Sequence, residues 1–202
     1  GVVCFFPSYG YADSVMSYWN EKGVTATLRK HKRIFEEPKT AEEVEATLKR
    51  YKSCIESKDH SQGGLLICIV GGKMSEGINF SDSLGRGVVV VGLPYPNFMD
   101  PELLERLKYQ NQLLLKVDPK SSQCDSSGDF TKSPAAREYM ENICMKAVNQ
   151  TIGRAIRHKG DYASILLVDH RYSSDWGPFR KLPAWIKNAM VTRCENFGSA
   201  YR

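Results

Sequence analysis

Gly64-Leu65-Leu66-Ile67-Cys68-Ile69-Val70 is a continuous apolar run of strand length. It lacks the apolar/polar alternation of a strand with one wet face, so it is expected to be covered on both faces, as in a parallel sheet. Gly87-Val88-Val89-Val90-Val91-Gly92 and Ser164-Ile165-Leu166-Leu167-Val168 repeat the pattern. Val2-Val3-Cys4-Phe5-Phe6 is a further β-favouring run ended by Pro7-Ser8, and Ile34-Phe35 marks another short strand.

Helical signals separate these runs. Residues 12–20 carry apolar residues at helical spacing. Thr40-Ala41-Glu42-Glu43 reads as a capping box before Val44, Leu48, Tyr51 and Ile55, which mark one face. Asp100-Pro101 and Ser133-Pro134 each set a capping residue before a proline at the first helical position. Strands alternating with helices predict an α/β fold with a largely parallel sheet, its ligands beyond the carboxyl ends of the strands. The 202 residues suit one domain, and residues 119–132, rich in Ser, Asp and Gly, are expected to form a mobile surface loop.

Composition narrows the function. No apolar run approaches the roughly 20 residues of a membrane-spanning helix, and residues 1–6 lack a basic leader and cleavage site, so they read as a buried strand. The six cysteines have no CxxC-type pair and the four histidines no ligand spacing, so they point to reduced thiols and no metal site. A net charge of +5, with basic residues clustered at 29–33 and 154–159, suits either a polyanion partner or a solvated face.

Three segments carry chemistry. At helical spacing Gln150, Arg154 and Arg157 fall on nearly one face, bringing two guanidinium forks and an amide toward one target, the natural partner of a phosphoryl group. Gly153 within that pattern costs about 1 kcal/mol against alanine, which suits a place where something approaches the backbone closely. The loop Gly71-Gly72-Lys73-Met74-Ser75-Glu76-Gly77-Ile78-Asn79-Phe80 follows a strand, where backbone N–H groups, Lys73 and Ser75 can meet nucleotide, nucleic acid or both; glycine there also serves turn geometry alone. Ser8 either caps the next helix or holds a backbone phosphate, and Tyr9 and Tyr11 either stack on bases or pack in the core. His158 follows Arg157 and is placed to assist anion binding.

Together Val3-Cys4-Phe5-Phe6-Pro7-Ser8-Tyr9, Gly72-Lys73-Met74-Ser75-Glu76-Gly77-Ile78-Asn79-Phe80 and Gln150-Thr151-Ile152-Gly153-Arg154-Ala155-Ile156-Arg157 resemble helicase motifs IV, V and VI of the XPD-like iron–sulfur DNA helicases, in that order. Val91-Gly92-Leu93-Pro94-Tyr95-Pro96-Asn97 and Asp161-Tyr162-Ala163 extend the resemblance over nearly the whole chain, and residues 70–82 and 143–150 most resemble the ChlR-type helicases of sister-chromatid cohesion. The resemblance implies a RecA-like, P-loop NTPase-type helicase C-terminal domain of three layers, the second motor domain of an ATP-driven enzyme moving 5′ to 3′ on single-stranded or forked DNA. By it, Arg154 and Arg157 are arginine fingers and Gln150 senses the γ-phosphate. Glu76 and Gly77 couple nucleotide state to DNA grip; Asn79, which stands where many relatives have aspartate, and Gly153 also lie at the nucleotide. Ser8, Tyr9, Lys73 and Ser75 lie on the DNA track.

The chain has neither a GxxxxGK[ST] loop, a DEAH-type box nor a cysteine cluster. ATP and Mg2+ are therefore expected mainly on an N-terminal motor domain of the same protein, with a 4Fe-4S cluster elsewhere in it. The resemblance also implies a nuclear protein with cohesion or replication-fork partners and no membrane. The alternatives are a DNA- or protein-binding module without catalysis, and another XPD relative of the DinG, telomere-length or Fanconi type.

Overall fold

The computed structural model describes residues 1–57, 63–97, 99–117, 131, 133–156, 158–173, 177–189, 194, 196 and 198. Arg157 lies outside the described residues, as does nearly all of the expected loop at 119–132. The chain resolves into two compact units, one of Gly1–Pro94 with Ala147–Asp169 and one of Tyr95–Lys146 with His170–Arg202.

The first unit holds a five-stranded sheet of β1 (Val2–Phe6), β2 (Lys32–Glu36), β3 (Gly63–Ile69), β4 (Gly87–Val91) and β5 (Ser164–Val168), in the order β2-β3-β1-β4-β5. Every pairing is parallel, as the unbroken apolar runs predict. Alternate residues divide between two faces. Cys4, Phe6, Leu65, Ile67 and Ile69 pack with Ala12, Met16 and Trp19 of α1 (Tyr9–Glu21) and Leu28 of α2 (Val24–Arg29). On the other face Phe35 meets Tyr51 of α3 (Glu42–Glu56) edge-on at 5.5 Å, and Phe5 meets Phe80 at 5.8 Å. Helices thus cover both faces. Tyr51 is 1% exposed and donates to the Leu84 carbonyl at 2.6 Å. A Cβ at Gly64 would lie 2.7 Å from its ring, so the glycine makes room for it.

Two sequence expectations change. The capping box at Thr40 does not form: the helix starts from Ala41, already helical, with no side-chain cap, and Glu42, Glu43 and Glu45 face the positive helix end instead. β5 is not covered on both faces: it is the last strand of the sheet, with Leu166 38% and Val168 50% exposed.

In the second unit α5 (Pro101–Val117) and most of α6 (Pro134–Ile152) pack through Leu103, Leu107, Ala136 and Met140. Both start as their sequences dictate. Asp100 accepts from Glu102 N–H at 3.0 Å and Ser133 from Ala136 N–H at 3.1 Å. The short α7 (Ala184–Ala189) follows, burying Ile186.

Candidate functional site at the carboxyl edge of the sheet

The segments after β1, β2 and β3 converge through Glu37. Its carboxylate is buried and accepts Tyr9 O–H at 3.1 Å and Met74 N–H at 3.1 Å on Oε1, and Ile69 N–H at 2.7 Å on Oε2. Three donors satisfy a charge that would otherwise be costly to bury. Burial first, then the Glu37 charge, push the Tyr9 phenol above its ordinary pKa. Sequence reasoning missed Glu37, because Glu36-Glu37-Pro38 reads as a solvated acidic turn. The available signal was Gly72, which sits at φ −79° and so needs no left-handed backbone. What it needs is space. A Cβ there would lie 2.3 Å from Glu37 Oε1.

Gly71, at φ 71°, turns the chain into α4 (Lys73–Gly77), which contains Glu76 and Gly77. Lys73 is exposed and its Nζ donates to the Lys39 carbonyl. Ser75 is 3% exposed and donates to the Gly72 carbonyl at 2.9 Å, which holds the turn. Ser8, exposed, accepts from Tyr11 N–H at 3.2 Å and so takes the capping role. Tyr9 packs against the apolar cluster under α1 while its hydroxyl reaches Glu37. Asn79 is exposed beyond α4.

Of the expected helical face, Gln150 lies on α6 and Arg154 lies beyond the end of that helix. α6 ends at Ile152, and Arg154 N–H and Ala155 N–H bond only three residues back, to Thr151 and Ile152. Gly153 sits in this tightening turn, where a Cβ would meet the Asn149 and Gln150 carbonyls at 3.2 and 3.7 Å. Gln150 is exposed on the last helical turn. Arg154 is joined to the segment after α4 twice: its carbonyl accepts Phe80 N–H at 3.0 Å, and its guanidinium donates to the Ile78 carbonyl at 3.3 Å.

A second junction was also illegible. The Asp161 side chain, fully buried, accepts Arg86 at 2.6 Å, Tyr162 N–H at 2.9 Å and Asp82 N–H at 3.2 Å, while Arg86 stacks on the Tyr162 ring at 3.9 Å. His158 lies 3.2 Å from Asp82, so it pairs here with a carboxylate. Asp82, His158 and Asp161 bring their ligand atoms within 4.8 Å of one another, and the cation among them is the Arg86 guanidinium, also 3.8 Å from Asp82. Among the described residues no cysteines gather into a cluster-binding set.

Residues 1–189 match the family model described as Helicase C-terminal domain. The chain is 47% identical over 205 residues to "ATP-dependent DNA helicase DDX11" of Danio rerio and 48% identical to that of Mus musculus, covering 100% of this chain and 21% of each relative. "ATP-dependent DNA helicase CHL1" of Debaryomyces hansenii is 44% identical over 100% of this chain and 24% of its own. This chain therefore spans about a fifth of the length of the curated relatives it matches. Two solved structures are similar over 86% of the chain: "Structure of S. tokodaii Xpd4", at TM-score 0.48 and 24% identity over 27% of that chain, and "XPD_APO", at 0.47 and 26% over 29%. With a family model over nearly its whole length, the chain belongs to the helicase C-terminal domain family.

Proposed function

We propose that this chain is the second motor half of an ATP-dependent DNA helicase, lending arginines to an ATP held by an N-terminal motor domain and supplying part of the single-strand track. The observation that carries this reading is the double tie of Arg154 to Ile78 and Phe80. It makes the arginine turn and the segment after α4 one mechanical piece, so charge change at a phosphate is felt where DNA is gripped. Arg154, Arg157 and Gln150 face the nucleotide, with Gly153 allowing approach to the turn. Glu76, Gly77 and Asn79 relay the state, while Ser8, Tyr9 and Lys73 border the strand.

ATP and Mg2+ fit this half only as visitors across a cleft, because the sequence offers cationic forks but no phosphate-cradling loop. When bound, the nucleotide supplies the γ-phosphoryl group whose developing charge the arginines stabilise. The 4Fe-4S cluster, 5′-to-3′ movement, cohesion or replication-fork partners and a nuclear address belong to the same reading of the whole protein.

The test is DNA-stimulated ATP hydrolysis by the full-length protein carrying Arg157→Ala or Arg154→Ala. An arginine finger is worth about 10³–10⁵ in rate, so turnover should fall by that order while DNA affinity stays within a few-fold. Near-normal turnover in a folded variant removes the assignment. Salt-dependent DNA binding with no ATP linkage in the wild type would favour the binding module instead.

A further inference from the structure

β2 is the end strand of the sheet, and between it and the second half of α3 runs a groove of about 860 Å³. Five cations line it: Arg29 at the end of α2, Lys32 and Arg33 on β2, and Lys49 and Arg50 on α3. Ser53 adds a hydroxyl one turn after Lys49, and among the described residues no acidic side chain is in the lining. Among the described residues none of the five forms an ion pair; the one contact of Arg50 is with the Thr47 hydroxyl at 3.1 Å. So many cations lining one groove without ion-pair partners repel, and a fold keeps them together at a cost in stability unless an anion relieves it.

The groove lies toward the amino ends of the strands. Lys32 pairs with Gly63, the first residue of β3, and Arg29 precedes the sheet strand β2. The loops that carry Glu37, Lys73 and Ser8 follow the opposite, carboxyl ends. This surface is therefore separate from the candidate site described above.

We propose that this groove is a second nucleic-acid contact, taking the phosphodiester backbone of DNA that has left or not yet reached the track. The inference rests on the DNA-motor reading of the chain. A phosphodiester backbone offers evenly repeated, acceptor-only charge, which matches a lining made of guanidinium, ammonium and hydroxyl donors. An acidic peptide offers the same charge but would dock by adding a strand to β2, and Lys32 and Arg33 on that strand are the kind of edge charges that oppose strand addition.

The experiment uses the full-length protein with Arg29→Gln, Arg33→Gln and Lys49→Gln combined; all three side chains are exposed, so the fold is retained. Binding is followed by fluorescence anisotropy against salt with a single strand, a blunt duplex and a fork, and with poly-glutamate as a protein-like polyanion. The expected result is a salt slope shallower by about 2–3, at roughly 0.7–0.9 for each phosphate that is no longer neutralised, with DNA-independent ATP hydrolysis unchanged. A shallower slope on the single strand alone, or on duplex and fork alone, tells which DNA the groove holds. Unchanged slopes on all three DNAs, or weakened binding confined to poly-glutamate, overturns the inference and leaves the motor reading standing. A wild-type protein that binds no DNA overturns both.

Discussion

Gly72 and Glu37 form a matched pair: a methyl group on Gly72 would come within 2.3 Å of Glu37 Oε1, so the missing side chain is what lets the carboxylate reach Met74 N–H and Tyr9 O–H. The two residues are 35 positions apart and join the ends of β2 and β3 at the base of the candidate site. The backbone of Gly72 is ordinary for any residue, so alanine there is punished by the carboxylate alone.

Gly72→Ala is therefore expected to destabilise the chain by about 1–3 kcal/mol, the usual cost of overpacking. Glu37→Gln should cost about 2 kcal/mol, since an amide has one acceptor oxygen for three donors and sets its NH2 against one of them. In a Glu37→Ala background the glycine substitution should lose most of its effect. Denaturant melts of the four proteins give the coupling directly, and additive losses would mean that the two residues act separately.

Arg86→Ala is expected to cost roughly 2–3 kcal/mol, because it strands the fully buried Asp161 carboxylate while leaving it two backbone donors. Arg86 is itself 31% exposed, which keeps the figure below that of a wholly buried pair. Arg86→Ala with Asp161→Asn should recover part of the loss. A double variant less stable than the single one would show that Asp161 is held by its backbone donors and not by the guanidinium.

What the sequence made legible was local. The apolar runs of β1, β3 and β4, and the caps at Asp100 and Ser133, are each written within a few residues, and the structure has them where they were expected. Glu37 was illegible because its partners, Tyr9, Ile69 and Met74, come from three places 28 to 37 residues away. β5 was misjudged because an unbroken apolar run does not distinguish a central strand from the last one, whose Leu166 and Val168 stay open. Of the candidate site, the segments were legible and the roles less so. Helical spacing put Arg154 on a face with Gln150, whereas Gly153 lies in a turn that redirects it to Ile78. Ser75 lies on α4 and is buried, which its polar loop sequence did not indicate.

Alkaline pH should unfold the chain early. Burial pushes the Cys4 thiol up from 9.0 to about 12, and raises Cys68 and Tyr51 as well. The folded chain thus holds these protons more tightly than the unfolded one; the Cys4 contribution is full below pH 9 and is lost as pH rises from about 9 toward 12, and that of Tyr51 begins to be lost only above its ordinary 10.0. Each such group removes about 1.4 kcal/mol per pH unit within its window. Denaturation midpoints should change little between pH 8 and 9 and fall from there to pH 11, and Cys4→Ala should flatten the slope by up to one group's share. An unchanged slope would mean that Cys4 does not titrate before the fold opens.

Arg154→Lys separates the two things this residue does. Its carbonyl bond to Phe80 N–H belongs to the backbone and survives any substitution, whereas its guanidinium bond to the Ile78 carbonyl can be remade by an ammonium. Stability should therefore change by less than about 1 kcal/mol, the net worth of an ordinary hydrogen bond. A lysine keeps the charge but not the planar fork, so an arginine that also meets a phosphate should lose transition-state stabilisation on the order of 10²-fold in kcat. The expected pattern in the full-length protein is an intact melt, intact DNA affinity, a KM for ATP within a few-fold of wild type and a collapsed kcat. Loss of stability together with activity would assign Arg154 to holding the turn, and full activity with lysine would show that charge, without the fork, is all the site requires.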